Sequence, residues 1–106
     1  MRVIDRHADM IAALRWAVLE TPGVTEVGQR AAAEAGEPTG TATDVYFDKV
    51  RRDSYRIVDA DIDALRATGM REDAIFELTL AVALGEATRR FDRAMAAVSR
   101  TREKPD

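Results

Sequence analysis

A run from about Glu72 to Val98 constrains this chain more than any other feature, because it can only be one long helix. From Ile75 to Ala87 only Glu77, Thr79 and Glu86 interrupt an apolar sequence. A helix apolar nearly all round is normally covered on most sides. The second half turns amphipathic: Leu84, Ala87, Phe91, Met95 and Val98 continue one stripe, with Arg89, Arg90, Asp92 and Arg93 pointing outward. At 1.5 Å per residue such a helix is about 40 Å long, whereas a compact domain of this size has a diameter near 34 Å. The helix must therefore bend, with Gly85 the place for it, or project and need a partner chain. We expect a homo-oligomer.

Shorter helices precede it. Ile4, His7, Ile11, Leu14 and Val18 fall at three- and four-residue steps, which predicts a helix from Val3 to Leu19, stopped by Thr21-Pro22-Gly23. A second is expected from Thr25, as its cap, to Ala35 before Gly36, and a loop over residues 37–43 follows. A third should run from Asp44, as its cap, to Arg56, with Tyr46, Val50 and Ser54 on one face and Phe47 and Tyr55 beside it. A fourth spans Asp59 to Thr68, with Ile62 and Leu65 inward and Gly69 as a left-handed stop. Residues 99–106 read as a frayed polar tail. The expected fold class is thus all-α: a compact single domain of about five helices, with an N-terminal pair over 1–36 and a helical core over 44–98. No strand, repeat or low-complexity tract is visible.

Composition removes several function classes. The chain has no cysteine, so disulfides, thiolate metal sites and thiol peroxidase chemistry are out of reach. Its net charge of −3, with both signs mixed, is unlike the basic stripe of a nucleic-acid binder. The N-terminus lacks the apolar core of a signal peptide, and no uncharged apolar run is long enough to span a bilayer. A cytoplasmic protein without cofactor or metal is the expectation.

Candidate chemical residues are few. Glu77 and Glu86 sit in the most apolar segment, where a carboxylate with a raised pKa can act as general acid or base. Nine positions apart, they lie on opposite sides of the helix and cannot share one site within a chain. The alternative is that each reaches solvent or pairs with an arginine. His7, the single histidine, could be a base or ligand, or simply an interface residue. Asp59, Asp61 and Asp63 alternate like calcium-loop acids, but the sixth and twelfth positions hold Ala64 and Met70 instead of Gly and Glu, so helix capping explains them better. Lys49, Arg51, Arg52 and Arg56 lie near Tyr46, Phe47 and Tyr55, a mixture that could hold phosphate, although helical geometry spreads it around the third helix. Ala81, Gly85 and Thr88 form a small-residue strip suited to close helix packing or, more sharply, to a ligand pocket.

The segment YRIVDADIDALRATGMREDAIFELTLAVALGEATRRFDRAM, from Tyr55 to Met95, resembles the helical hairpin of the alkylhydroperoxidase D-like and carboxymuconolactone decarboxylase-like proteins. The matching residues are Asp59, Asp61, Leu65, Arg66, Ala67, Gly69, Glu72, Asp73, Ile75 and Glu77, over about two fifths of the chain. The resemblance implies an all-helical fold that assembles into dimers, trimers or hexamers. It does not carry over the redox activity, because that branch uses a Cys-x-x-Cys pair. Arg71 and Val58 stand where the family has capping Ser or Thr. Two functional expectations follow: a non-redox oligomeric structural or interaction module, or a decarboxylase-like enzyme or binder of a small acidic molecule with Glu77 as its acid/base group. A nucleic-acid regulator working through the third helix is a weaker third.

Overall fold

Helix-forming residues dominate the chain, and helices are what it builds. The structure, a computed structural model, describes residues 3–103. Among them are five α-helices and no strand: α1 (Val3–Leu19), α2 (Val27–Ala35), α3 (Thr41–Arg52), α4 (Asp59–Ala67) and α5 (Glu72–Glu103), with a 3-10 turn at Ser54–Arg56 after α3. α1 ends at Leu19, where its spacing and the Thr21-Pro22-Gly23 stop predict. No helix is long and apolar enough to cross a membrane among the described residues.

Several boundaries differ from expectation, each for a local reason. α2 begins one residue later than expected, because Glu26 and not Thr25 stands at its cap; Gln29 Oε1 accepts from the Glu26 backbone N–H at 3.0 Å. α3 starts at Thr41, which shortens the loop to residues 37–40. Asp44 lies inside the helix and reaches back, accepting from the backbone N–H and the hydroxyl of Thr39 at 2.8 and 2.9 Å. Gly40 occupies the cap at φ 140°, a conformation that a side chain would resist. The helix then breaks at Asp53, so Ser54 and Tyr55 leave the face they were expected to share with Tyr46. The long helix continues past Val98. Its last turns are Ala- and Arg-rich, residues of high helix propensity, and it runs to Glu103; residues 104–106 of the expected tail lie outside the described residues.

α5 is the axis of the fold, 32 residues long or about 48 Å. α1, α2 and α3 dock around it and α4 closes its N-terminal end. The core gathers on its first half, where Ile75, Leu78, Ala81, Val82 and Leu84 meet Val18 and Leu19 of α1, Ala33 of α2, Tyr46 and Phe47 of α3, and Leu65 of α4. Past Met95 every described side chain of α5 is exposed. The molecule is elongated rather than compact: it measures 57 × 29 × 20 Å, and its radius of gyration is 16.4 Å against about 13 Å for a compact chain of this length.

Gly85 does not break α5. It is buried, and an added Cβ there would stand 2.2 Å from the backbone oxygen of Glu34. The glycine lets the C-terminal end of α2 sit directly on α5. Arg89 holds it there, donating to the same Glu34 oxygen at 2.9 Å. Arginine at the last carbonyls of a helix also suits the negative end of its dipole.

Candidate functional site

The carboxylate of Glu77 faces the loop between α1 and α2. It accepts the backbone N–H of Val24 at 2.8 Å, the backbone N–H of Thr25 at 3.0 Å and the Thr25 hydroxyl at 2.7 Å. The Thr25 hydroxyl and the Val24 N–H, helped by the Thr25 N–H and the nearby Arg30 charge, hold its pKa below the ordinary value of 4.5 despite burial. A low pKa favours the ionised form and makes a poor general acid at neutral pH. Gly23 passes so close that a Cβ there would lie 2.5 Å from Glu77 Oε1. Arg30, 3% exposed, completes this junction by donating to the Val18 carbonyl at 2.8 Å. Glu77 thus ties the α1–α2 connection to α5. It does not line the neighbouring groove of about 410 Å³ formed by Val24, Thr25, Thr68, Met70 and Leu78 among others.

The other sequence candidates are placed separately. His7 is exposed, with its ring edge-on to Phe91 at 6.2 Å. Phe91 is about 21 Å along α5 from Glu77, so His7 and Glu77 do not share a site. Glu86 pairs with Arg90 at 3.0 Å and Arg89 at 3.4 Å, with Arg93 at 3.9 Å. The Arg90 hydrogen bond above all, then that of Arg89 and both charges, lowers its pKa. Asp61 accepts the Val58 N–H at 2.8 Å and both carboxylate oxygens take the Lys49 ammonium at 2.9 Å. That is a helix-start role, and among the described residues no three His, Asp or Glu side chains converge as a metal site would require.

The basic stretch of α3 is dispersed. Arg51 pairs with Asp48 and donates to the Ala33 carbonyl, Arg90 donates to the Arg51 carbonyl, and Arg56 lies over its own neighbour Tyr55. A cleft of about 390 Å³ lies between Arg51, Arg52, Arg89 and Arg90, but Asp48, Glu86 and helix-end carbonyls already engage three of these guanidinium groups. Of the small-residue strip, Ala81 and Gly85 are buried and half-buried Thr88 bonds to the Leu84 carbonyl of its own helix. The strip packs helices.

What sequence reasoning missed is the side of α5 left open. The stripe read from Leu84 through Ala87, Phe91 and Met95 to Val98 does not share one environment: Leu84 is buried, Phe91 and Met95 are half-covered, and Ala87 and Val98 are exposed. Instead Phe76 (68% exposed), Leu80 (41%), Ala83, Ala87, Phe91, Ala94 and Val98 (45%) run along one edge. This edge separates α1 from α3. Arg15 binds Glu34, so one flank of α1 turns towards α2; Met10 and Leu14, 66% and 51% exposed, lie on its other flank and border the strip. On the α3 side, Tyr55, Ala83 and Ala87 share a groove of about 500 Å³. Scattered apolar residues on a surface need no explanation, but a continuous strip is the mark of an interaction surface. The spacing signal for it was in the sequence; which side would stay open was not.

Comparison with protein-family models, with curated proteins and with solved structures gives no match.

Proposed function

We propose that this protein is a self-associating helical module with a structural or interaction role, and that the open strip of α5 is its docking surface for a second copy. The observation that carries this reading is the unbroken apolar edge from Phe76 to Val98, on a helix packed on its other sides by α1, α2 and α3 over its first half. Area supports a copy of the same chain as occupant. The strip is about 33 Å long and one helix diameter, about 10–12 Å, wide. That footprint, about 330–400 Å², supplies about half of the ~800 Å² per partner of a specific interface, and exposed Met10, Leu14 and Tyr55 extend it on both sides. A non-redox relative of the alkylhydroperoxidase D-like proteins, whose members oligomerise, agrees with the absence of cysteine and the helical order. The decarboxylase-like alternative draws no support from Glu77, whose carboxylate already holds three donors.

Size-exclusion chromatography with light scattering tests the reading. The wild-type chain should run as an oligomer at tens of micromolar. Leu80→Glu, which places a charge on the strip without touching the core, should shift it to monomer with unchanged helicity. A wild-type protein that is strictly monomeric at that concentration overturns the proposal.

A further inference from the structure

The order of residues along the strip says how two copies would meet. Phe76, Leu80, Ala83 and Ala87 are spaced by four, three and four residues; Ala87, Phe91, Ala94 and Val98 repeat the same steps. The strip is therefore two eleven-residue units joined at Ala87, and its spacing is the same in either direction. Eleven residues in three turns are 3.67 per turn, close to the natural period of an α-helix, so the strip stays on one side without strong supercoiling.

Resting on the self-association just proposed, we infer that the assembly is a closed dimer in which two α5 helices pack antiparallel about a two-fold axis at Ala87. Three features favour this arrangement over a parallel one. A two-fold antiparallel pair requires a strip that reads alike from both ends, and this one does. The register also sets large against small at two levels, Leu80 opposite Ala94 and Phe91 opposite Ala83, with Phe76 opposite Val98 at the ends and Ala87 on itself at the centre. Such interdigitation fills space, whereas a parallel register stacks Phe on Phe at two levels and leaves Ala facing Ala at three instead of one. Charge gives the third reason. The first turn of α5 carries Glu72 and Asp73 and the last carries Arg100 and Arg102. Glu72 and Asp73 already pair with Arg66 and Arg71 of their own chain, so the larger part of this preference is the dipoles: antiparallel packing opposes them and sets the acidic turn of one copy beside the basic turn of the other, whereas parallel packing sets like against like. Each strip is used up on its twin, so the assembly closes at two.

The lack of cysteine makes the geometry testable with single introduced thiols. Interaxial distances of about 8–10 Å and a Cα radius near 2.3 Å put the two Ala87 Cα atoms about 4–5 Å apart, within disulfide reach. Under mild oxidation Ala87→Cys should become mostly cross-linked dimer. Phe76→Cys alone and Val98→Cys alone should stay uncross-linked, since in each case the two thiols sit about 33 Å or more apart. An equimolar mixture of those two variants should give the mixed disulfide. If light scattering shows a dimer but Phe76→Cys and Val98→Cys each cross-link to themselves, the helices are parallel and the inference falls while self-association stands. A dimer in which neither Ala87→Cys nor the mixture cross-links uses another face, and the antiparallel inference falls in the same way. A monomer by light scattering refutes the self-association reading itself.

Discussion

Replacing Gly85 by Ala should destabilise the protein, although the same change in most helix interiors stabilises it. Two terms compete. Ala is favoured over Gly in a helix by about 1 kcal/mol. Against that, the new Cβ would sit 2.2 Å from the Glu34 carbonyl oxygen and 3.0 Å from its carbon, both backbone atoms. Relief requires α2 to move outward by about 1 Å. The move draws Ala33, now fully buried, off α5 and lengthens the 2.9 Å bond from Arg89 to the Glu34 oxygen. Overpacking of this kind costs about 1–3 kcal/mol, and weakening a charged hydrogen bond adds about 1.5 kcal/mol. The net loss is about 2–3 kcal/mol, a fall in melting temperature of roughly 8–20 °C for a domain of this size. Gly28 supplies the internal control. It lies in α2 with nothing near the position of an added Cβ, so Gly28→Ala should raise stability by about 0.4–1 kcal/mol. Thermal and urea unfolding followed by circular dichroism would give both values. Equal signs for the two variants, and above all a stabilised Gly85→Ala, would falsify the seating of α2 on α5.

Glu77→Ala should cost about 2–4 kcal/mol at neutral pH, because it strips the partner from three donors at once; Glu77→Gln, which keeps an acceptor, should cost less. The lowered pKa of Glu77 gives the pH dependence its sign. The folded state binds the proton more weakly than the unfolded state, so the stabilisation is complete above the ordinary value of 4.5 and is lost as pH falls through the lowered folded value. The gap between wild type and Glu77→Gln should therefore close on acidification, as urea midpoints measured from pH 7 downward would reveal; a constant gap contradicts the charged network. Phe47→Ala, at a site 1% exposed, should remove about 3–5 kcal/mol and leave little folded protein at 37 °C by circular dichroism. Tyr46→Phe deletes the 2.8 Å bond to the Thr79 hydroxyl and should lower stability by only about 0.5–1.5 kcal/mol, read from the same urea curves.

The sequence carried the helices and withheld the faces. Spacing and the Thr21-Pro22-Gly23 stop gave the end of α1 at Leu19, and Gly69, at φ 93°, stops α4 as its type requires. Both are local facts. Thr25 shows where local reading fails. Its type and position mark it as a helix cap, yet its hydroxyl and N–H go to Glu77, 52 residues away. That partner is chosen by how α5 lies against the α1–α2 loop. For the same reason Glu77 looked like a carboxylate stranded in an apolar wall. Gly85 looked like a hinge, because a glycine in a helix signals either flexibility or close approach, and only the position of α2 distinguishes them. In α5 the ambiguity is greatest. A helix apolar on every side carries no pattern that says which neighbours will cover it, so its open edge emerges only once three helices have docked elsewhere.

That open edge has a consequence for the far end of α5. Beyond Met95 no other helix covers it, and every described side chain there is exposed. The eight or so helical residues there extend a helix already nucleated by its packed half, but without tertiary support each is held only by its own propagation step, which is close to neutral in water. Their only intrinsic help is favourable composition, worth a few tenths of a kcal/mol per residue. In a monomer the amides from about Ala96 onward should therefore exchange with solvent nearly as fast as an unfolded chain. In the antiparallel dimer, Phe76 and Leu80 of the second copy cover Val98 and Ala94, and the helix is extended by contacts it lacks alone. Amide hydrogen exchange read by mass spectrometry should then show protection over residues 94–100 that rises with protein concentration, while the core around Val82 stays protected at every concentration. Leu80→Glu should abolish the concentration dependence and leave the core unchanged. If residues 94–100 are equally protected in dilute and concentrated wild type and in Leu80→Glu, the end of α5 is stable by itself, and its exposed apolar edge needs no partner to explain it.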